Sequence, residues 1–257
     1  MNKTFKAVTA AALLMGCAAA QATIVEVKTN LGRFEVNLFD QSTPITVQNF
    51  LKYTNAEGFN NTVIHRSVSG FVIQGGGFTF EPAVLLKPTE VYSPIKNEPK
   101  WSNVRGTIAM AKLAGNPDSA TNQWFINLSN NAANLDNQNG GFTVFGQINA
   151  QGMEVVDAMA ALPRFNFPSL NIADLPLQNY SATDKANNKT LVASNFIVIE
   201  SITVVDASPS TEESATKVPS TATNPSNPGT VVSSGSAGFI SLLGLMLVAI
   251  RRRVITK

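Results

Sequence analysis

The chain has very few of the side chains on which most active sites depend. It contains one cysteine and one histidine, Cys17 and His65, among its 257 residues. Zinc and other metal centres built from His or Cys need several such ligands, so the sequence indicates no metal site, and we expect no cofactor. A Ser-His-Asp triad would depend on His65, but no nucleophile motif such as G-x-S-x-G accompanies it. We therefore interpret His65 as a structural residue on a strand.

Clustered positive charge is also missing from the central part of the chain. Thirteen of the 19 Lys and Arg residues lie between residues 23 and 235, together with all 17 Asp and Glu residues, which gives this part a net charge of −4. The remaining basic residues lie at the two ends of the chain. Because nucleic-acid binding depends on a basic patch, we exclude it as a function.

A run of three glycines, Gly75, Gly76 and Gly77, does not have the surroundings of a phosphate-binding loop. No Lys-Ser or Lys-Thr pair follows it, and no helix is predicted to begin there. We interpret the run as a place where the backbone turns or approaches a ligand closely.

The first 22 residues have the layout of a signal peptide. Lys3 and Lys6 precede a short apolar run, and residues 20–22 fit an A-x-A cleavage site. The apolar run is too short to span a bilayer. A second interpretation is a lipoprotein signal, since residues 14–17 loosely resemble a lipobox in which Cys17 would be lipidated. Cleavage after the A-x-A site would remove Cys17 and leave an exported protein that folds without disulfides.

Residues 23–206 have the pattern of one globular domain built mainly of strands. Alternating apolar residues at 24–27 and 34–38 predict a hairpin around a turn at 30–32. Further short strands are predicted at 62–66, 71–74, 106–112, 123–128, 142–147 and 195–205.

Two helices are predicted within this domain. Thr43 and Pro44 are expected to begin the first as N-cap and first-turn proline, and its apolar face carries Val47, Phe50 and Leu51. The second helix covers about residues 151–161 and ends before Pro163. Many short strands with only two helices are typical of an antiparallel barrel or sandwich.

Three other segments have a different composition. Residues 163–194 are rich in Asn, Pro, Ser and Asp, and we interpret them as a long surface excursion. Residues 207–235 are rich in Ser, Thr and Pro without periodicity, which predicts a disordered linker. Residues 236–257 contain an apolar run that ends in three arginines, Arg251 to Arg253. This run is short for a spanning helix, so it is interpreted as a processed sorting signal or a membrane anchor.

A group of neutral residues around one arginine remains as the candidate site. Their types suit a groove that binds an apolar group and polarises a carbonyl or amide without a nucleophile. Each apolar member is also compatible with an ordinary place in the core. The candidates are Arg66, Phe71, Gln74, Met110, Ala111, Gln123, Phe125, Leu135 and Phe142.

The blocks that carry these residues resemble the signature of the cyclophilins, the peptidyl-prolyl cis–trans isomerases. The first block holds Arg66, Phe71 and Gln74, and the others follow in family order as far as residue 206. The resembling blocks are residues 63–78, 105–111, 119–126, 135–136 and 143–147. The resemblance implies a closed eight-stranded antiparallel barrel capped by two helices, and is strongest to the periplasmic bacterial branch. The tail at 236–257 resembles C-terminal sorting signals of the GlyGly-CTERM type, although it lacks the adjacent glycine pair.

The resemblance also implies a role for each candidate. Arg66 is similar to the family's catalytic arginine, and Gln74 would help to orient it. The wall of a proline pocket would be formed by Phe71, Met110, Phe125 and Leu135, with Phe142 as an aromatic residue at the place of a histidine. Ala111 and Gln123 would contact the substrate backbone.

Two further positions depart from the best-known pattern of the family. Lys112 replaces an asparagine whose contact is made by its backbone. Asn134 stands where a tryptophan contributes to cyclosporin binding, so we expect weak binding of that drug.

The sequence thus predicts a prolyl isomerase that acts on proline-containing unfolded or secreted chains. Its arginine would stabilise the twisted amide, and the protein would work in the periplasm, in the cell envelope or at its surface. A cyclophilin-like chaperone or peptide-binding module without essential catalysis is the alternative. A third interpretation is a scaffold displayed at the cell surface, for whose function the tail is the most important part.

Overall fold

The structure is a computed structural model that describes residues 23–208 and 211–222. The predicted signal peptide at 1–22 and the predicted tail at 236–257 lie outside these residues, as does the larger part of the predicted linker.

The described chain is mainly β. Its strands are β1 Ile24–Thr29, β2 Gly32–Leu38, β3 Thr62–Val63, β4 Arg66–Val68, β5 Val72–Gly75, β6 Phe78–Glu81, β7 Leu85–Pro88, β8 Thr107–Met110, β9 Trp124–Asn127, β10 Val144–Ile148, β11 Arg164–Phe167, β12 Ile172–Pro176 and β13 Val198–Asp206. Its α-helices are α1 Pro44–Asn55, α2 Ala132–Leu135, α3 Ala150–Ala160 and α4 Ala182–Ala186.

Eleven strands form one antiparallel sheet in the order β4-β5-β9-β8-β10-β2-β1-β13-β3-β6-β7. The order begins at β4 and ends at β7, so within the described residues the pairing does not close on itself. A closed barrel of eight strands is therefore not confirmed. The predicted strand at 62–66 is divided into β3 and β4, and β6 and β7 were not predicted. The other two strands, β11 and β12, pair separately.

The two longer helices agree with the predicted ones. In α1 the buried face includes Val47 and Phe50 as expected, whereas Leu51 is only half-buried. The Thr43 hydroxyl does not cap this helix, because it donates to the carbonyl of Phe39 at 3.2 Å. In α3 the amide oxygen of Asn149 caps the first turn by accepting from the backbone of Gly152 at 2.7 Å. Within the described ranges, the helices are too short or too polar to cross a membrane.

The main apolar core lies between the sheet and these two helices. Apolar residues that alternate along the strands point to it from one face of the sheet, as the period of two requires. This inner core is formed by Val25, Val27, Phe34, Val36, Val47, Phe50, Ile73, Ile108, Met110, Trp124, Ile126, Phe145, Met153, Val156, Ile197 and Ile199, among others.

The segment at 163–194 is more ordered than the predicted surface excursion. It contains the β11–β12 hairpin and α4, and β12 lies against β4. Its residues Leu175 and Leu177 are fully buried in a cluster that also contains Val63 and Phe78 from the main sheet. A few apolar side chains at strand spacing are thus sufficient to bind a polar segment to the body.

The predicted linker at 207–235 is also corrected over residues 211–222, which pack on the body. Glu212 is 2% exposed and accepts hydrogen bonds from the backbone of Gln41 at 2.7 Å, from Lys217 at 2.9 Å and from the Ser42 hydroxyl. The backbone of Ser102 donates to Val218 at 2.7 Å. The composition of residues 207–235 did not predict this contact, because backbone groups and one buried carboxylate form it. Such groups leave no periodic pattern in the sequence.

Glu212→Gln should lower the free energy of unfolding at pH 7 by roughly 2 kcal/mol, because it weakens charge-assisted hydrogen bonds to a buried group. Burial raises the pKa of Glu212, but hydrogen bonds from Ser42, Lys217 and Gln41 outweigh it and leave this pKa lowered. The stabilisation is therefore lost as the pH falls through the lowered pKa, where the native carboxylate also takes up a proton. Urea denaturation at pH 7 and in acid measures both effects.

The matched control is Glu213→Gln, which removes the same charge from the exposed neighbouring position. Equal free energies of unfolding for the two variants at pH 7 would contradict the docking of residues 211–222.

Candidate functional site

The candidate arginine lies on a short hairpin formed by β4 and β5. Arg66 pairs directly with Gln74, and Val68 pairs with Val72. Gly70 has a φ of 64°, a left-handed conformation that glycine adopts without strain, and the backbone of Phe71 donates to Val68 at 3.0 Å to close the turn. The turn thus sets the spacing between Arg66, Phe71 and Gln74.

Pairing continues this register as one row across the sheet. Gln74 lies opposite Phe125, Phe125 lies opposite Ala109, and Ala109 lies opposite Val144. Residues directly opposite each other in an antiparallel pair point to the same face. The row that begins at Arg66 therefore faces away from the inner core.

Apolar residues beside this row form a second cluster, which we call the outer cluster. Its buried members are Phe39, Val72, Ala109, Ala111, Phe125, Leu135, Phe142 and Val144, with Phe71, Trp101 and Ala215 partly buried against them. The rings of Phe125 and Phe142 meet edge to face at 5.7 Å. Five of the predicted site residues thus come together here: Phe71, Ala111, Phe125, Leu135 and Phe142.

The structure corrects the prediction for Met110. This side chain is 1% exposed and belongs to the inner core, because Met110 pairs with Trp124 on the opposite face from Ala109 and Phe125. Val72 belongs to the outer cluster instead. The sequence signal for Val72 was its spacing of two from Gln74 on one strand, which gives both residues the same face.

The two predicted glutamines are joined by a hydrogen bond. The Gln74 amide donates from Nε2 to Oε1 of Gln123 at 2.9 Å. Gln74 lies opposite Arg66 in the strand pairing. Among the described residues, however, its amide makes no hydrogen bond to the guanidinium. Gln74 is 8% exposed, whereas Gln123 is half-buried.

Glycines in the run after β5 let Gln123 approach the backbone. A side chain at Gly77 would put its Cβ 2.5 Å from Cγ of Gln123. Gly76 has a φ of 87°, and a Cβ there would lie 2.6 Å from the carbonyl oxygen of Asn122. The run is therefore required for close packing of β5 against the segment that leads into β9.

Arg66 is the charged member of the site. Its guanidinium is half-buried, and its Nε and Nη1 atoms are buried without a hydrogen-bond partner among the described residues. Burial lowers the pKa of Arg66, and the carboxylate of Asp174 partly opposes this effect. Because buried donors are nearly always satisfied in proteins, the two free N–H groups indicate a place for an acceptor from a ligand.

Lys112 supports the wall that carries Phe142. Its ammonium group donates to the carbonyls of Gly141 at 2.6 Å and Asn139 at 2.8 Å, and lies 4.8 Å from the centre of the Phe142 ring. Burial lowers the pKa of Lys112 to about 8, although Asp118 favours its charged form. The side chain at this position thus has a structural contact that the resemblance did not imply.

A buried polar network, which the sequence analysis missed, holds the segments around Leu135. Asp136 accepts from the backbone of Asn103 at 2.8 Å, and Asn131 donates to the carbonyl of Phe71 at 2.8 Å. These side chains fix the loop that bears Leu135 against the turn that bears Phe71. The available signal was two asparagines and an aspartate beside apolar residues, where each needs a partner.

His65 is buried next to the site and faces Phe78, with the ring centres 4.8 Å apart. Burial lowers the pKa of His65 to about 4, and the nearby charge of Arg66 lowers it further, against hydrogen bonds that favour the charged form. Within residues 23–208 and 211–222 no group of His, Cys, Asp and Glu side chains is arranged to hold a metal ion.

Comparison with known proteins gives a consistent set of relatives. The sequence model of the cyclophilin type peptidyl-prolyl cis-trans isomerase/CLD family matches residues 24–179. A peptidyl-prolyl cis-trans isomerase of Acinetobacter baylyi is 39% identical over 180 residues, which are 68% of this chain and 93% of the relative. Peptidyl-prolyl cis-trans isomerase B of Escherichia coli is 37% identical over 187 residues, 70% of this chain and 99% of the relative.

The fold is similar to that of a cyclophilin type isomerase from Cryptosporidium parvum. The TM-score is 0.50 at 23% identity, over 71% of this chain and 97% of that one. A second structure of that isomerase was determined in the presence of the dipeptide Ala-Pro. At this identity the likeness concerns the fold alone.

The imidazole of His65 should titrate with a midpoint near pH 4 in the folded protein, because burial disfavours its charged form. Since the chain has one histidine, the ring protons give a single set of shifts in an NMR titration.

The reference is the chain unfolded in urea, in which the midpoint should return to about 6.5. A midpoint near 6.5 in the folded state would show that His65 is solvated and able to exchange protons at neutral pH.

Proposed function

Because this chain belongs to the cyclophilin-type peptidyl-prolyl cis–trans isomerases, we propose that Arg66 is the group through which it speeds rotation about X–Pro bonds. The chain is an enzyme of this class, and proline-containing peptide is its substrate. The observation that carries the role of Arg66 is its pair of buried, unpartnered N–H groups beside the outer cluster.

The chemistry follows from the electronic structure of the amide. Resonance holds the X–Pro bond planar with a barrier of about 18–20 kcal/mol, so uncatalysed exchange takes tens to hundreds of seconds. In the twisted transition state the conjugation is lost, and the proline nitrogen becomes pyramidal and basic. A guanidinium N–H directed at that nitrogen binds it more strongly than in the planar ground state, which is the condition for a higher rate.

The surrounding residues are suited to hold the two ends of the rotating bond. Phe71 is half-buried at the edge of the outer cluster, and Phe125, Leu135 and Phe142 form the apolar surface beside it. This surface would hold the proline ring while the carbonyl side turns. Gln123, fixed by Gln74, supplies an amide for the peptide backbone. The Ala-Pro dipeptide present with the Cryptosporidium isomerase supports a proline-containing peptide as the ligand.

Arg66→Ala should reduce kcat/KM for a proline tetrapeptide by about 100-fold or more, the usual cost of removing one transition-state donor. Arg66→Lys should recover little, because an ammonium does not present the planar pair of N–H groups. A protease-coupled assay measures the rate, and the free energy of unfolding shows whether the variant is folded.

The matched control is Arg33→Ala, which removes an exposed arginine of β2 that pairs with Glu26 at 3.5 Å. This variant should keep full activity. Unchanged turnover in Arg66→Ala would reject the role of Arg66, and retained protection of unfolded chains without isomerisation would favour the chaperone or peptide-binding alternative.

We further propose that the enzyme is exported and belongs to the periplasmic bacterial branch, with a tail at 236–257 that tethers or sorts it. The signal-like residues 1–22 support export. A contact at the predicted new N-terminus supports cleavage after Ala22: the backbone N–H of Thr23 donates to Asp40 at 2.8 Å. Cleavage would turn this N–H into an ammonium facing the carboxylate. Weak cyclosporin binding stays a prediction, supported by the exposed Asn134 on α2.

The intact mass of the protein purified from its native envelope should correspond to a chain that begins at Thr23. If the tail is removed, the mass should be lower still and should correspond to a chain that ends within residues 236–257. A retained Cys17 carrying lipid would support the lipoprotein interpretation and reject cleavage after Ala22.

A further inference from the structure

An additional hairpin lies beside the strand that carries Arg66. The hairpin consists of β11 and β12, and β12 lies against β4. Ile172 and Leu175 of β12 are 3% and 0% exposed and belong to the cluster that contains Val63 and Phe78. In sequence, Val63 precedes Arg66 and Phe78 follows it. The hairpin is therefore anchored at a fixed distance from the site by buried apolar contacts.

A β-bulge interrupts the pairing of this hairpin at Asp174. Phe165 pairs with Leu175 and Phe167 pairs with Ile172, so two residues of β12 lie opposite the single residue Asn166. Asp174 has a φ of 53°, and its N–H donates to the side chain of Asn166 at 2.8 Å. A bulge redirects a side chain, and aspartate is one of the few residues besides glycine that adopt the left-handed conformation.

The carboxylate of Asp174 acts electrostatically on Arg66. It favours the protonated guanidinium, and no other charged group has a comparable effect on Arg66 within the described residues. The two side chains do not form an ion pair in the described part of the chain, and the Asp174 carboxylate has no hydrogen bond there either. Asp174 is half-buried, so a peptide that reaches Arg66 also comes within the field of an accessible carboxylate.

We infer that Asp174 is a specificity-determining residue that admits lysine and arginine side chains next to the substrate proline. An arginine in a groove repels cationic residues of a peptide and attracts acidic ones. The carboxylate beside Arg66 offsets this repulsion and makes the site suitable for basic segments of unfolded chains. The inference rests on the proposed function, since it assumes that the peptide lies at Arg66.

The test compares blocked tetrapeptides that carry Lys or Glu at each of the two residues before proline. Affinity is measured by calorimetry at low ionic strength, and kcat/KM by the coupled assay. The native enzyme should bind at least one Lys peptide as well as its Glu partner or better. For that pair of peptides, Asp174→Asn should lower the ratio of the affinity for the Lys peptide to the affinity for the Glu peptide about fivefold. This is the size expected for one charge at the edge of a binding site. Added salt should reduce this change, because it screens exposed charges.

Glu154→Gln is the matched control, because it removes one exposed carboxylate from α3 and should leave the ratio unchanged. A ratio that is the same in Asp174→Asn and in the native enzyme, for both positions, would overturn the inference. The affinity ratio is informative even if Arg66 proves to have no catalytic role, because it needs binding alone. Native activity that Arg66→Ala abolishes, with no dependence on Asp174, would reject the specificity role and leave the proposed function standing.

Discussion

The whole site depends on the register of three antiparallel pairings, β4 with β5, β5 with β9, and β9 with β8. These pairings put Arg66, Gln74, Phe125 and Ala109 in one row on one face of the sheet, while Ile73, Ile126 and Ile108 occupy the other. Because the side-chain period of a strand is two, a slip of one residue would exchange the two sets. Packing of the inner core therefore fixes the strand register, and the register fixes the positions of the site residues.

Burial of a guanidinium next to an apolar cluster is costly, and its N–H groups normally find partners. In this enzyme two guanidinium nitrogens of Arg66 have no hydrogen-bond partner among the described residues. The protein thus keeps donors ready without reorganising them during the reaction, which is how a preorganised polar group lowers a barrier. Within the described residues Arg66 forms no direct ion pair, so no contacting carboxylate compensates its charge.

Two segments with a loop-like composition are nevertheless part of the folded body. Each is attached by a few strong contacts: Leu175 and Leu177 hold the β11–β12 hairpin, and Glu212 holds residues 211–222. These contacts join parts of the chain that are far apart in sequence, and a local window of composition does not contain their partners. A local contact changed one other detail: Thr43 occupies the predicted N-cap position before Pro44, but its hydroxyl donates to the carbonyl of Phe39 and forms no side-chain cap.

The sequence by itself determined the chemistry of the site: one arginine, two glutamines and apolar residues, in a chain with one histidine and one cysteine. It also determined both long helices and most strands, because their apolar spacing is a local property. Only the tertiary structure decided which residues line the outer cluster, so that Val72 replaced Met110 there. It also decided which distant segments meet the site, so that β12, which carries Asp174, lies against β4. Spacing within one strand shows that Val72 and Gln74 share a face, but strand register and long-range packing decide what that face contacts.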